Sequence, residues 1–233
     1  MTRAMRFLCL GLAAALLFPV LTAAPAAAAC GERPAAGVDW SNCEKRRLVL
    51  RGQDLGNGKF VRTDFARSDL AGAKLAGADL TEAHFDHARL AGADLTGARL
   101  EKAEGDRADV TGAVLKGADM SKAEMSRTDF TGADFTGANL QKVELSRAIL
   151  ARAVLDGVDM TRAEVARAVF AGASLAGTDM TGAYTYLARF EATDLSAVKG
   201  LTQQQLDAAC GDAETKLPEG LTAPAAWPCP REE

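Results

Sequence analysis

Only two histidines occur in the 233-residue chain, His84 and His87. No nucleophile, base and oxyanion-stabilising group stand in recognisable relation, and no glycine loop of the phosphate-cradling kind is present. Catalysis is therefore not expected, and no cofactor is implied. The two histidines flank Asp86 in AHFDH, but a metal site would still need further ligands from elsewhere, so no metal is expected. After residue 21 no apolar run reaches the length of a membrane span, which leaves the mature chain without a transmembrane segment. Basic residues are also outnumbered, 27 Lys and Arg against 31 Asp and Glu. That balance argues against broad nucleic-acid binding and is simply compatible with solubility.

What the chain does have is a period of five. Every fifth residue from Leu50 to Leu195 is apolar, with only Gly105 and Thr185 breaking the run. The blocks read AKLAG, ADLTE, AHFDH, ARLAG, ADLTG, ARLEK. Leu, Phe or Met holds the centre, and Ala usually stands two residues before it. In a short extended side, alternate residues face the same way, so the centre and the residue two before it both point inward. Ala113 and Leu115, Ala133 and Phe135, and Ala153 and Leu155 are such pairs. This pattern resembles the pentapeptide-repeat family, whose motif is A(D/N)LXX, and the likeness covers nearly all of 48–200. The period predicts an all-β solenoid. The resemblance implies a right-handed quadrilateral β-helix, a hand that periodicity alone does not supply.

A longer period sets the number of sides. Two residues after the centre the chain shows Glu82, His87, Gly92, Gly97, then Lys102, Arg107, Gly112, Gly117, then Lys122, Arg127, Gly132, Gly137. The pattern repeats every four blocks, which predicts a coil of twenty residues. About seven and a half coils then stack into a rod roughly 36 Å long. The Gly corners are expected to use type II turns, whose third residue needs φ > 0. A different turn is expected at the Lys and Arg corners, with Arg152 in a Gly slot as a local exception.

Four regions follow from this reading. Residues 1–29 have Arg3 and Arg6, an apolar stretch from Phe7 to Leu21 and a run of small residues, the make-up of a secretory signal peptide. Residues 30–47 form an N-terminal cap, 48–200 the repeats, and 201–233 a short C-terminal helix with a tail. Cys9 would leave with the signal peptide. Of the three ways to pair Cys30, Cys43, Cys210 and Cys229, the simplest joins Cys30 to Cys43 at the entrance and Cys210 to Cys229 at the exit. Export to a periplasmic or secreted location permits both bonds. A lipid on Cys30 is the alternative suggested by Ala27, Ala28 and Ala29, and it would strand Cys43. A four-cysteine metal site would need the ends of the rod to meet.

Open coil edges need covering. Trp40 is placed over the first coil, with Leu48 and Leu50 beginning the interior. At the other end Thr202 and Gln205 read as a capping box, opening about two turns of helix that close near Gly211. Tyr184, Tyr186 and Leu187 fill slots elsewhere held by Glu, Ser and Arg. They are expected beneath the C-terminal cap, a docking patch being the other reading.

Stacking should line up charges in columns. Lys102, Lys122, Lys142 and Arg162 form one, Glu104, Glu124, Glu144 and Glu164 the next, and Arg107, Arg127, Arg147 and Arg167 a third. Two readings stay open: a solvated, self-neutralising ladder, or a face that binds an acidic protein or an anionic envelope polymer. Arg suits the second through its two-point fork. Asp119, Asn139, Asp159 and Asp179 form another column, explained by turn hydrogen bonding. The resemblance also makes conceivable a topoisomerase-binding DNA mimic of the quinolone-resistance type, against which the export signal and the interleaved charges count. The expected function is a non-enzymatic extracytoplasmic binding or scaffold module, with partner and oligomeric state open.

Overall fold

The computed structural model describes residues 30–229; the expected signal segment lies outside them. Parallel bridges join residues twenty apart all along the rod, from Asp39 with Lys59 to Asp179 with Lys199. Each coil therefore has four sides of five residues. Three inter-coil bonds hold each side, as in Leu115 N to Asp134 O at 2.7 Å, Gly117 N to Thr136 O at 3.0 Å and Val114 N to Ala93 O at 2.9 Å. A fourth closes the corner, as in Ala118 N to Leu115 O at 3.0 Å. Nearly every repeat amide is satisfied in this way.

The inward slots are as the alternation requires. Leu115, Phe135 and Leu155 are buried together with Ala113, Ala133 and Ala153. A small residue is needed two before the centre because four sides converge on one narrow axis. Where Thr or Ser takes that slot, its hydroxyl donates to a carbonyl of the coil before: Thr63 to Trp40 O at 2.6 Å, Ser68 to Lys45 O at 2.6 Å, and Thr178 to Leu155 O at 2.7 Å. The outward Asp or Asn has its own task. Its carboxylate or amide oxygen accepts the amide two residues on, as Asp119 does from Ser121 at 3.0 Å and Asn139 from Gln141 at 3.0 Å. Turn bonding thus accounts for the Asp119, Asn139, Asp159 and Asp179 column, completed by Thr161 and Thr181 amides at 2.9 Å.

The corners depart from expectation. Positive φ occurs at the third turn residue on the Lys and Arg corners as well as on the Gly corners. Lys102, Arg107, Lys122 and Arg127 have φ of 56°, 55°, 60° and 58°, and Arg152 has 58°. Positive φ recurs at every corner from Gly37 to Ala192, so the Lys and Arg corners do not differ from the Gly corners in this respect and Arg152 is no backbone exception. The cause is the stack itself: the corner amide must donate to the next coil, as Arg107 N does to Ser126 O at 3.1 Å. That requirement overrides the side chain's preference.

At the entrance the stacking begins before residue 48. Trp40 occupies an inward slot and packs on Phe60 and Phe65, with ring centroids 5.8 and 6.5 Å away. Lys45 takes the next inward slot, donating to Cys30 O at 2.6 Å with its ammonium 3.8 Å from the Trp40 ring centroid. Burial holds its pKa below the ordinary lysine value. Leu50 is buried, but Leu48 is 37% exposed. It belongs to the first coil, with no coil beneath it, so it does not begin the interior.

Cys30 is bonded to Cys43 and Cys210 to Cys229, with Cα atoms 5.5 and 5.4 Å apart. At the exit, α1 spans Gln203–Asp207 and carries the Thr202/Gln205 capping box. It is shorter than two turns because Cys210 already rejoins the stack, its amide donating to Ala188 O at 2.8 Å. Leu206 is buried at the core's end. Thr185, the polar residue in a core slot, donates to Gln205 O at 2.7 Å, and Gln205 Nε2 donates to Met180 O and Ala183 O. Among the described residues no helix is long and apolar enough to cross a membrane.

Gly105 leaves space that Met125 fills. A β-carbon at Gly105 would stand 2.5 Å from Met125 Sδ. A void of about 20 Å³ remains among Phe85, Leu100, Val110, Met125 and their neighbours. Gly105→Ala is expected to destabilise the protein by about 1 to 3 kcal/mol through overpacking. Met125→Ala should cost about 2 to 5 kcal/mol by itself, and the double variant should lose less than the sum of the two. Denaturant melts of the two single variants and the double variant measure the coupling, and strictly additive losses would contradict the contact.

Candidate binding surface

Two corners and the side between them carry the three charged columns. The bridges place Glu104, Glu124, Glu144 and Glu164 directly above one another. Lys102, Lys122, Lys142 and Arg162 lie on one flanking corner, Arg107, Arg127, Arg147 and Arg167 on the other, all with positive φ. His84 extends the Glu column and lies 3.1 Å from Glu104 through Nδ1, while His87 extends the Arg column. Among the described residues no group of three His, Cys, Asp or Glu side chains is placed to hold a metal ion.

Lys102, Arg107, Lys122 and Arg127 are drawn to carboxylates on their own corners. Lys122 pairs with Glu101 at 3.1 Å, and Arg127 with Asp106 at 2.7 Å. Arg107 approaches Asp106 at 3.8 Å, and Lys102 approaches Glu82 at 3.8 Å. Glu101 and Asp106 sit on the same corner one coil back, nearer to the cation than the middle of the adjacent side. Among the described residues Lys142, Arg147 and Arg162 form no ion pair, and all three are exposed. Glu164 is instead bonded by Ser146 Oγ at 2.9 Å. The Glu144 carboxyl is pushed above the usual carboxylate range, first by partial burial and then by the charges of Glu124 and Glu164.

The tyrosines are not covered. Tyr184 is 56% exposed and Tyr186 46%. Their rings stack on each other with centroids 6.2 Å apart and planes 14° off parallel. Tyr184 continues the Glu column above Glu164, and the Arg167 guanidinium lies 6.0 Å from the Tyr186 ring centroid. Only Leu187 is drawn in, its amide donating to Ala208 O at 2.6 Å. The C-terminal segment meets the stack beyond the tyrosines and leaves both rings outside.

Because the folded state raises the pKa of Glu144, the resulting stability is fully present below the unfolded value near 4.5 and is lost as pH rises through the folded value. Glu144→Gln is neutral at every pH. It should melt slightly higher than the parent at pH 7 and equally at pH 4, as thermal scans at the two pH values would read. A lower melting temperature at pH 7 would mean that nearby cations do stabilise the carboxylate.

A family model described as pentapeptide repeats matches overlapping windows 47–82, 63–101, 83–121, 106–141, 128–164 and 148–184. Among solved structures the chain is similar to full-length QnrB1, a plasmid-mediated fluoroquinolone resistance protein, at 18% identity over 78% of this chain and 91% of that one, with a TM-score of 0.55. It is also similar to HetL, a pentapeptide repeat protein involved in heterocyst differentiation regulation in the cyanobacterium Nostoc, at 23% identity over 84% of this chain and 90% of that one, with a TM-score of 0.42. No curated protein sequence matches the chain significantly.

Proposed function

The chain belongs to the pentapeptide-repeat family, with its right-handed quadrilateral β-helix, and on that premise we propose that it is a non-enzymatic extracytoplasmic binding module. Its rigid rod presents the Lys and Arg corners to an acidic protein or an anionic envelope polymer. The observation that carries this reading is the backbone at those corners. Gly would adopt positive φ without strain and does so at most positions of the other two corners, Asn57, Arg152 and Ala192 being exceptions, whereas a side chain costs about 1 kcal/mol or more at each position. Lys102, Arg107, Lys122, Arg127, Lys142, Arg147, Arg162 and Arg167 all accept that strain. Side chains kept at such a cost are best explained by what they contact.

A periplasmic or secreted location is supported by the make-up of residues 1–29 and by the two disulfides, which persist in oxidising compartments. The helix Gln203–Asp207 and the tail held by Cys229 serve as the cap of the C-terminal edge, and the Cys30 loop serves the entrance. The likeness to a fluoroquinolone resistance protein is one of fold. An acidic mimic of DNA is not favoured, because the Asp119 column is engaged in turn bonds and the exposed corners are cationic.

Replacing Arg107, Arg127 and Arg147 together by Gly removes the side chains without disturbing the corners. The triple variant should melt no lower than the parent and should lose anionic material that the parent retains from an envelope extract. Unchanged retention would discard the basic corners as the binding face.

A further inference from the structure

Resting on the basic-corner reading, we propose that the C-terminal half of this face binds a linear acidic polysaccharide of the polyuronate type, with Tyr184 and Tyr186 as its sugar-stacking platform. Three kinds of group meet there. Lys142, Arg147 and Arg162 are exposed cations without ion pairs among the described residues. Glu144 and Glu164 run between the two cationic corners. Tyr184 continues the Glu column and Tyr186 follows it, the two rings stacked and exposed.

Each group suits a different part of one ligand. A guanidinium or ammonium takes a carboxylate, the guanidinium in a two-point contact. A row of Glu oxygens accepts hydrogen bonds from hydroxyl groups. Tyr offers a flat apolar face to the C–H face of a pyranose ring and a hydroxyl at its rim. Uronate chains carry all three complements in every unit: one carboxylate, vicinal hydroxyls and an apolar ring face. A polyphosphate has no hydroxyls or rings, so it can use neither the Glu row nor the tyrosines. Nucleic acid has rings to stack, but a DNA strand brings no free hydroxyl along its chain for the Glu row.

Spacing favours the same ligand. Coils repeat at about 4.8 Å, comparable with the advance of one ring along an extended 1,4-linked pyranose chain. In a two-fold chain successive carboxylates turn to opposite edges, so they can meet the two cationic corners alternately, in step with the coils and with no rearrangement of the rod. Alternatives elsewhere carry less: the internal void near Gly105 is too small for a ligand, and the His84 and Glu104 pair lacks further metal ligands among the described residues.

The test uses the full mature chain and four defined probes: polygalacturonate, a neutral 1,4-linked glucan, inorganic polyphosphate and an oligothymidylate, with binding read by calorimetry at moderate salt. Polygalacturonate should bind most tightly, and the neutral glucan should not bind measurably. Tyr184→Ala with Tyr186→Ala, and separately Arg147→Gly with Arg162→Gly, should each weaken polygalacturonate at least tenfold while the melting temperature holds. Polyphosphate or oligothymidylate binding as tight as polygalacturonate, or no effect of the tyrosine pair, would overturn the saccharide assignment. In that case the arginine dependence of polyphosphate binding, or of retention from the envelope extract, still decides the basic-corner reading separately. No binding of any polyanion together with arginine-independent retention would overturn both.

Discussion

Every feature of this rod depends on one constraint: each amide at a corner must reach a carbonyl in the coil above, and it can do so only if the residue adopts a left-handed conformation. Lys102 N to Ser121 O at 3.1 Å and Arg127 N to Ser146 O at 3.0 Å satisfy it, with φ of 56° and 58° respectively. The corner then returns the chain inward, bringing Leu, Phe or Met to the axis every five residues. The hydrophobic ladder and the hydrogen-bonded frame are thus two results of the same geometry. Burial supplies the driving force, while the frame sets where the buried residues fall and keeps the period at twenty.

The frame also governs the surface. Stacking at a fixed period makes any residue a column and turns small differences between repeats into patterns along the rod. Cations on a corner pair with carboxylates one coil back on that corner, as Arg127 does with Asp106. Where those carboxylates are replaced by Ser121, Ser126 and Gln141, the corner cations Lys142, Arg147 and Arg162 keep no ion pair among the described residues. Charge on this rod is therefore unevenly matched. It is paired at Lys122 and Arg127 and open at Lys142, Arg147 and Arg162, and beyond these the face changes from charged to aromatic at Tyr184 and Tyr186. Exposed ion pairs contribute little to stability, so this change matters more for recognition than for folding.

Much of the fold was legible because its signal repeats. The inward pairs, the twenty-residue coil, the turn role of Asp119 and the capping box at Thr202 all follow from spacing and residue type. The corners were misread because an intrinsic preference was applied where tertiary bonding decides. Arg alone disfavours positive φ, but a corner amide held in the stack has little freedom. The ion-pair partners Glu101 and Asp106 were not singled out, because they lie at the corner itself and outside the three columns that the period brings out. Tyr184 and Tyr186 were expected to be covered because aromatic residues near a terminus suggest packing. Periodicity had already placed them in outward slots, and that signal was the better guide. Leu48 shows the opposite limit: the period assigns it inward, but a first coil has nothing beneath it.

Pulsed electron spin resonance on labels at Thr81→Cys and Thr161→Cys tests the stacking most directly. Both positions lie on one corner, four coils apart, so a narrow distribution centred at about 19 Å is predicted. A broad distribution, or a separation well beyond 30 Å, would contradict a coil of twenty residues and with it the placement of every column on the surface.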